Sequence, residues 1–334
     1  MSATIAAPTG AKYARIMSVG AYRPERIVTN AEICENIDSS DEWIRERSGI
    51  IERRYAADDE SVADMAVNAS TIAIERAGIS PEEIGMVLIA TVTHPLQTPA
   101  VATEVADRVG AHNAAAMDIS AACAGFCYGV TLASDMVRGG SSKYVVVVGV
   151  EKLTDWIDPH ERSMAFIFAD AAGAVVIGPS EVPAIGPTVW GAEGDQRDVI
   201  TMTSSLIDYK KDDSVGFPTL IMAGQSVFRW AVGEMTKVTA QALDAAGITA
   251  DDLDAFIPHQ ANMRITDAMV RALKLPEHVP VARDIAYTGN TSAASIPLAM
   301  DRMLEEGEIP HGGTALLIGF GAGLVYAAQV VTLP

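Results

Sequence analysis

The sequence predicts an α/β protein made of two similar halves, and three observations carry that expectation. Residues 73–89, AIERAGISPEEIGMVLI, align without gaps on residues 242–258, ALDAAGITADDLDAFIP. Each copy reads as the end of an amphipathic helix, an A-G-I stop, an acidic turn and an apolar strand. The offset is 169 residues (242 minus 73), and near that offset YVVVVGVEK (144–152) faces ALLIGFGAG (315–323). Both are glycine-bearing runs apolar enough for strands buried on both faces. Finally, 334 residues with 49% apolar and 20% charged content are enough for a large buried core and too apolar for disorder. The expected organisation is residues 1–180 and 181–334, each a sheet with covering helices, meeting with equivalent turns face to face at a pseudo-twofold.

Charge and cysteine content narrow the function classes. Forty-three acidic against 24 basic residues give a net charge of −19, which repels nucleic acid and anionic membrane, so any acidic partner needs a local basic patch. Three cysteines without a C-x-x-C pair argue against a disulfide framework and a structural zinc site. The stretch MSATIAAPTGAKYARIMSVG lacks leader features and no apolar run approaches about 18 residues, so the expectation is a cytoplasmic protein.

Taken in chain order, Cys34 in AEICENI reads as an ordinary buried helix residue, and His94 in TVTHPLQTP follows an apolar strand as a structural or pocket-lining histidine. In DISAACAGFCYGV (118–130) an apolar stretch gives way to a helix expected to start near Cys123 and run to Val137, stopped by Gly139 and Gly140. Cys123 would then lie in the first turn, where unpaired backbone NH groups lower a cysteine pKa. The small residues around it leave room for a substrate atom. Core filling is an equal reading at this stage, because free cysteines are often buried. Cys127, one turn deeper, reads as core.

His259 in LDAFIPHQANMRI closes a strand just before a helix that Asn262 can cap, and the carboxyl end of a sheet is where open α/β folds bind ligands. Asn290 in YTGNTSAASIPLAM sits in a Gly-Asn turn before a helix opened by Thr291 and Ser292. It is either a plain turn asparagine or an amide aimed into a site. The stretch IGFGAGLVY (318–326) is a glycine turn between strands whose bare NH groups can approach an oxyanion.

Together DISAACAGF, IPHQAN, GNTSAAS and GFGAG, in this order and spacing, closely resemble the thiolase superfamily, and within it the β-ketoacyl-acyl carrier protein synthase III family, from Tyr13 to Pro334 and including SSDEWIRERSGI. The resemblance implies a thiolase-like fold of duplicated α/β halves in a layered α-β-α-β-α arrangement. It implies a Cys123, His259 and Asn290 triad. Degradative thiolases place a second cysteine there, elongating synthases a second histidine and hydroxymethylglutaryl synthase a glutamate. Plant-type polyketide synthases share the triad but are usually longer and lack this IPHQAN and GNTSAAS wording.

The implied reaction is decarboxylative condensation of an acyl-CoA primer with malonyl-acyl carrier protein, initiating type II fatty acid synthesis. Priming of a polyketide pathway, or acyl transfer, is the alternative. The oxyanion hole falls to the NH groups of Cys123 and the turn at Gly321, Ala322 and Gly323. CoA contacts fall to Trp43, Arg47 and Arg162, and pantetheine contacts to Gly224, Phe228 and Asn262. Neither a cofactor nor a metal is implied. Acyl carrier protein would dock on Arg229, Arg264, Arg271 and Lys274, the last three at spacings of seven and three that share a helix face.

A homodimer is implied, with Thr98 where the partner subunit closes the acyl pocket. Threonine is smaller than the phenylalanine of short-chain members, which suggests branched or longer primers. One departure is FIFADAAGAVVIG, with Ala169 and Ala171 where the family commonly has glycine; they are expected to adjust packing or the acyl pocket. A papain-like protease also runs Cys, His, Asn, but the Gly-Ser-Cys-Trp context is absent and the halves are duplicated. A non-catalytic scaffold would tend to have lost the nucleophile.

Overall fold

Both copies of the A-G-I stop fold alike. In the computed structural model, which describes residues 5–334, the helix Val62–Ala77 ends on left-handed Gly78 and the helix Gly224–Ala246 on left-handed Gly247. A single 3-10 turn follows each, Pro81–Glu83 and Ala250–Asp252, locked by a reciprocal Ser80/Glu83 or Thr249/Asp252 capping pair. The first four residues of the stretch searched for a leader lie outside the described residues.

The first sheet has five strands in the spatial order Tyr13–Tyr22, Asp170–Ser180, Tyr144–Lys152, Ile84–Ala90, Ala115–Ile119. The last three run parallel to one another and the first two antiparallel to their neighbours. The second sheet repeats the plan with Val189–Ala192, Val325–Thr332, Thr314–Gly321 and Ala255–Pro258. Its fifth strand is reduced to one parallel bridge between Phe256 and Val281.

Period-two packing explains why these strands read as unbroken apolar runs. Val145 and Val147 point into the central core, whereas Val146, Val148 and Val150 point outward against the helices Val62–Ala77 and Val101–Arg108. In the second sheet Ala315 and Leu317 face the centre, and Leu316 and Ile318 pack under the helices Gly224–Ala246 and Met263–Leu273. Between the sheets lie the helices Gly125–Gly139 and Ser295–Glu305, which contribute Phe126, Val130, Ile296 and Met300 to that shared core. The result is five layers, α-β-α-β-α, as the family resemblance implied. Ionic contacts also cross between the sheets' segments: Arg76 meets Asp301 and Glu305 at 2.5 Å each, and Arg23 lies 3.8 Å from Asp301.

Neither central helix starts where the sequence pattern puts it. Each is preceded by a 3-10 turn, Ala122–Ala124 and Ser292–Ala294, that opens on a non-glycine residue with positive φ, Ala122 at 43° and Ser292 at 51°. These turns stand 170 residues apart (292 minus 122), one more than the repeat in the outer helices. The structural equivalent of Cys123 is therefore Ala293, and Ser292 matches Ala122.

Two glycines allow the turns to nest on the strand ends. A Cβ on Gly149 would lie 2.2 Å from the Ala293 carbonyl oxygen, and one on Gly319 would lie 3.0 Å from the Cys123 carbonyl oxygen. Gly149→Ala is expected to destabilise the protein by at least about 1–3 kcal/mol, because backbone on both sides must move. Gly233, in the Gly224–Ala246 helix with nothing near its would-be Cβ, should behave oppositely, and Gly233→Ala should stabilise by about 0.5–1 kcal/mol. Urea unfolding midpoints of the two variants measure both signs.

Candidate active site

Cys123 sits in the 3-10 turn that interrupts the path from strand Ala115–Ile119 to helix Gly125–Gly139. A Cβ on Gly321 would lie 2.9 Å from the Cys123 Cβ and 3.0 Å from its amide nitrogen and Sγ. Only glycine lets this strand end cross the cysteine. Together with His259, Asn290, Gly321 and Ala322, Cys123 lines a cavity of about 830 Å³. Cys127 is fully buried in the central core, and Cys34 is the half-buried C-cap of a short helix rather than an interior helix residue.

The cysteine's electrostatics depart from the expected lowering by a helix terminus. Burial pushes the Cys123 thiol up to about 12; the neighbouring Ser292 hydroxyl opposes the rise and the nearby Glu151 carboxylate adds to it. The physical reason is the turn's tight seat: the cysteine lies in the 3-10 turn just ahead of the long helix, half-buried in the cavity wall under Gly321. The resting group is a thiol.

His259 follows strand Ala255–Pro258, its NH bonded to the Ile318 carbonyl and its ring edge-on to Phe320. Burial pulls its pKa down to about 3, so the ring is neutral. Its Nδ1 lies 2.8 Å from Ser295 Oγ, which also accepts the Gln260 NH. Nδ1 is the acceptor within reach of the Ser295 proton, and with the hydroxyl donating to it the imidazole proton is assigned to Nε2. His259 is thereby a hydrogen-bond donor toward the cavity and a poor acceptor.

Asn290 is held by its backbone, whose NH donates to Ile167 and whose carbonyl accepts from Ala169. Its Oδ1 accepts the Ser292 NH at 2.9 Å, which turns the amide so that Nδ2 remains as a donor. The 166–169 segment is anchored from below by Arg53, fully buried, which donates to the carbonyls of Phe166 and Val28 and to Asn30 Oδ1. Ala169 and Ala171 both lie in the core away from the cavity lining, Ala171 against Ala294 and Leu298. Their methyls adjust packing between the layers, not the pocket.

Toward solvent, Arg47, Gly224, Phe228, Asn262, Arg229 and Arg264 line the cavity. Asn262 caps the helix Met263–Leu273 and also donates to the Arg47 carbonyl. Trp43 and Arg162 lie outside the lining. Trp43 packs edge-on to Phe166, with the Arg162 guanidinium 5.0 Å and that of Arg47 5.6 Å from its ring centre. Arg264 lies 5.4 Å from the Phe228 ring centre.

The expected basic helix face is shorter than read. Arg271 is exposed in the last turn, but Lys274 is the left-handed C-cap at φ 51° and is not carried on the face of Arg264 and Arg271. Thr98 is exposed and not part of this chain's own cavity lining, whereas His94 and Gln97 are. Sequence reasoning missed Glu151, Ser292 in its bonding role and Ser295. For Glu151 the signal was present, a carboxylate closing an otherwise apolar strand. Among the described residues no cluster of three or more His, Cys, Asp or Glu could hold a metal ion. No helix there is long and apolar enough to cross a membrane.

A duplicated five-layer fold with a buried cysteine turn, a donor histidine and a donor asparagine at the floor of one cavity defines the thiolase-like condensing class. The family description 3-oxoacyl-[acyl-carrier-protein] synthase III matches residues 117–194, and its C-terminal counterpart matches residues 243–333. A β-ketoacyl-[acyl-carrier-protein] synthase III of Streptomyces glaucescens is 62% identical over 97% of this chain and 98% of its own. Among solved structures, the priming β-ketosynthase of the R1128 polyketide biosynthetic pathway is 49% identical, with a TM-score of 0.97 over 99% of each chain. The 3-oxoacyl-[acyl-carrier-protein] synthase III of Aquifex aeolicus VF5 is 36% identical, with a TM-score of 0.87 over 96% of this chain and 99% of that one. The chain belongs to the β-ketoacyl-[acyl-carrier-protein] synthase III family.

The depressed His259 pKa has a stability consequence with a definite sign. Between about 3 and the ordinary value of 6.5 the unfolded chain binds a proton there that the folded chain does not. That contribution is full above pH 6.5 and is lost as pH falls toward 3. Replacing His259 by Asn should shrink the drop in melting temperature between pH 7.5 and pH 4.5, read by thermal denaturation of both proteins.

Proposed function

We propose that the protein is an acyltransferase that condenses an acyl-CoA primer with malonyl-acyl carrier protein, with loss of carbon dioxide, to give 3-oxoacyl-acyl carrier protein and begin type II fatty acid synthesis. The observation that carries this reading is the pairing, at one cavity floor, of a nucleophile with two neutral donors and no strong base. Cys123 attacks the thioester, and the oxyanion is received by backbone NH groups of Cys123 and the Gly321–Ala322 turn. Loss of one such donor typically costs about 100- to 1000-fold. In the second half-reaction His259 Nε2 and Asn290 Nδ2 donate to the malonyl thioester oxygen. The enolate left by departing carbon dioxide then attacks the acyl carbon on Cys123.

The remaining roles follow the same reading. Residues 1–180 supply the nucleophile and 181–334 the histidine and asparagine. Trp43, Arg47 and Arg162 take the nucleotide of CoA, while Gly224, Phe228 and Asn262 flank the pantetheine arm. The carrier protein, acidic by chemistry, is steered by Arg229, Arg264, Arg271 and Lys274 against the −19 background. The working unit is a cytoplasmic homodimer in which the partner subunit's Thr98 closes the acyl pocket, and no metal or cofactor takes part.

A second reading, priming of a polyketide pathway, draws on the 49% identity and 0.97 TM-score to a priming ketosynthase. The two differ in primer and carrier protein, not in chemistry.

Peptide mass spectrometry after mixing with acetyl-CoA or isobutyryl-CoA should find the acyl group on the Cys123 peptide, cleared by malonyl-carrier protein and absent in Cys123→Ala. An adduct on Cys34 or Cys127 instead would remove this mechanism. Running both primers with fatty-acid and polyketide carrier proteins ranks the two pathways. Arg264→Glu should raise the KM for malonyl-carrier protein several-fold more than that for acyl-CoA, with the gap closing as salt screens the charges.

A further inference from the structure

The neutral, donor-oriented His259 leaves the Cys123 proton without an acceptor, yet nucleophilic attack needs a thiolate. The buried carboxylate nearby is Glu151, at the carboxyl end of strand Tyr144–Lys152 and inaccessible to solvent. Its two oxygens are not equivalent. Oε2 receives Thr93 Oγ1 at 2.7 Å, the Val92 NH at 3.1 Å and Thr91 Oγ1 at 3.2 Å. Both threonine hydroxyls accept a backbone NH, from Thr93 and Lys152 respectively, so their own protons are committed to the carboxylate. Oε2 is saturated with donors. Oε1 has a single partner, Ser292 Oγ at 3.1 Å, and Ser292 lines the same cavity as Cys123, close enough to the sulfur to affect its ionisation.

The fold's internal symmetry places these groups together. Gly319 and Gly149 are equivalent across the offset of 170, and so are Gly321 and Glu151. Where one strand end lays Gly321 over Cys123, the other lays a carboxylate against the opening residue of the matching turn.

We propose that Glu151, acting through the Ser292 hydroxyl, holds the Cys123 proton while the enzyme is acylated. The inference rests on the condensing role proposed above. As Sγ forms its bond to the acyl carbon, the thiol proton passes to Ser292 Oγ and the Ser292 proton to Glu151 Oε1. The C–S bond to CoA breaks, and the CoA thiolate takes its proton from solvent at the mouth. When the enolate attacks the acyl-enzyme, the C–S bond to Cys123 breaks, and the array runs backwards to restore thiol and carboxylate. One solvent proton is consumed per turnover, matching the loss of the malonyl carboxylate as carbon dioxide. Burial sets the Glu151 carboxyl at about 7, within reach of both states near neutrality. Cys123 is the titratable group facing it. Lys152 turns away to the carbonyls of Ala57, Asp58 and Glu60, and Asp170 to the amides of Ala56 and Thr154 and the Thr154 hydroxyl.

Alkylation of Cys123 by iodoacetamide, followed by peptide mass spectrometry from pH 5.5 to 9.5, reads thiolate formation without any substrate. The wild type should rise to a plateau with a midpoint near 7, since between that pH and the ionisation of the thiol itself the Cys123 and Glu151 pair shares one proton. Glu151→Gln should lose the plateau and react at least about tenfold more slowly at pH 8. If Glu151 were only a neighbouring negative charge, its removal would make Cys123 more reactive; an unchanged or faster rate overturns the proposal. Ser292→Ala gives the same reading should Glu151→Gln fail to fold, with folding checked by circular dichroism. Absence of an acetyl adduct alongside an intact wild-type plateau would sink the condensing role and leave the proton path standing.

Discussion

Much of this molecule depends on one steric constraint, the seating of two short turns on the ends of two strands. Gly149 and Gly319 permit it because a single methyl at either would strike backbone. That contact brings Cys123 under Gly321 and Ser292 against Glu151, and it fixes the start of both central helices. The left-handed Ala122 and Ser292 are held by the same packing, at a backbone cost of order 1–3 kcal/mol each that the surrounding core must offset. The shared core of Phe126, Val130, Ile296 and Met300 is what holds them.

The second theme is a site assembled from uncharged donors. Histidine kept neutral by burial, an asparagine with its oxygen already engaged, and backbone NH groups all favour negative charge that develops during reaction. Such a site binds anionic intermediates without presenting a fixed positive charge, and it lets the overall surface stay acidic. The cations gather at the mouth, where Arg47, Arg229 and Arg264 stand along the cavity's outer lining.

How much of this was legible in the sequence follows from the range of the interactions. The repeated helix, acidic turn and strand were readable because capping and period-two burial are local, and both copies fold alike down to their Ser80/Glu83 and Thr249/Asp252 pairs. The cavity's floor residues were readable from wording that sits at strand ends. The turn before each helix was not, since neither Ala122 nor Ser292 signals a left-handed backbone; tertiary contact imposes it. The same contact shifts the internal equivalence by one residue and pairs Cys123 with Ala293 rather than Ser292. Burial, a property of packing that the sequence does not display, pushes the Cys123 thiol up where the sequence reading expected a lowering. Lys274 left its expected face for a comparable reason, a helix that stops at Leu273.

Trp43, with Arg162 and Arg47 at its ring, carries an internal occupant. Under the nucleotide role proposed for this cluster, an adenine arriving there would exchange with a guanidinium rather than fill an open slot, and its net affinity would be a difference between two stacking partners. A phosphopantetheine arm on a protein carries no adenine and would make no such exchange. Under the proposed roles, the entrance would tell the two thioester donors apart by the handle they carry, before either acyl group reaches Cys123.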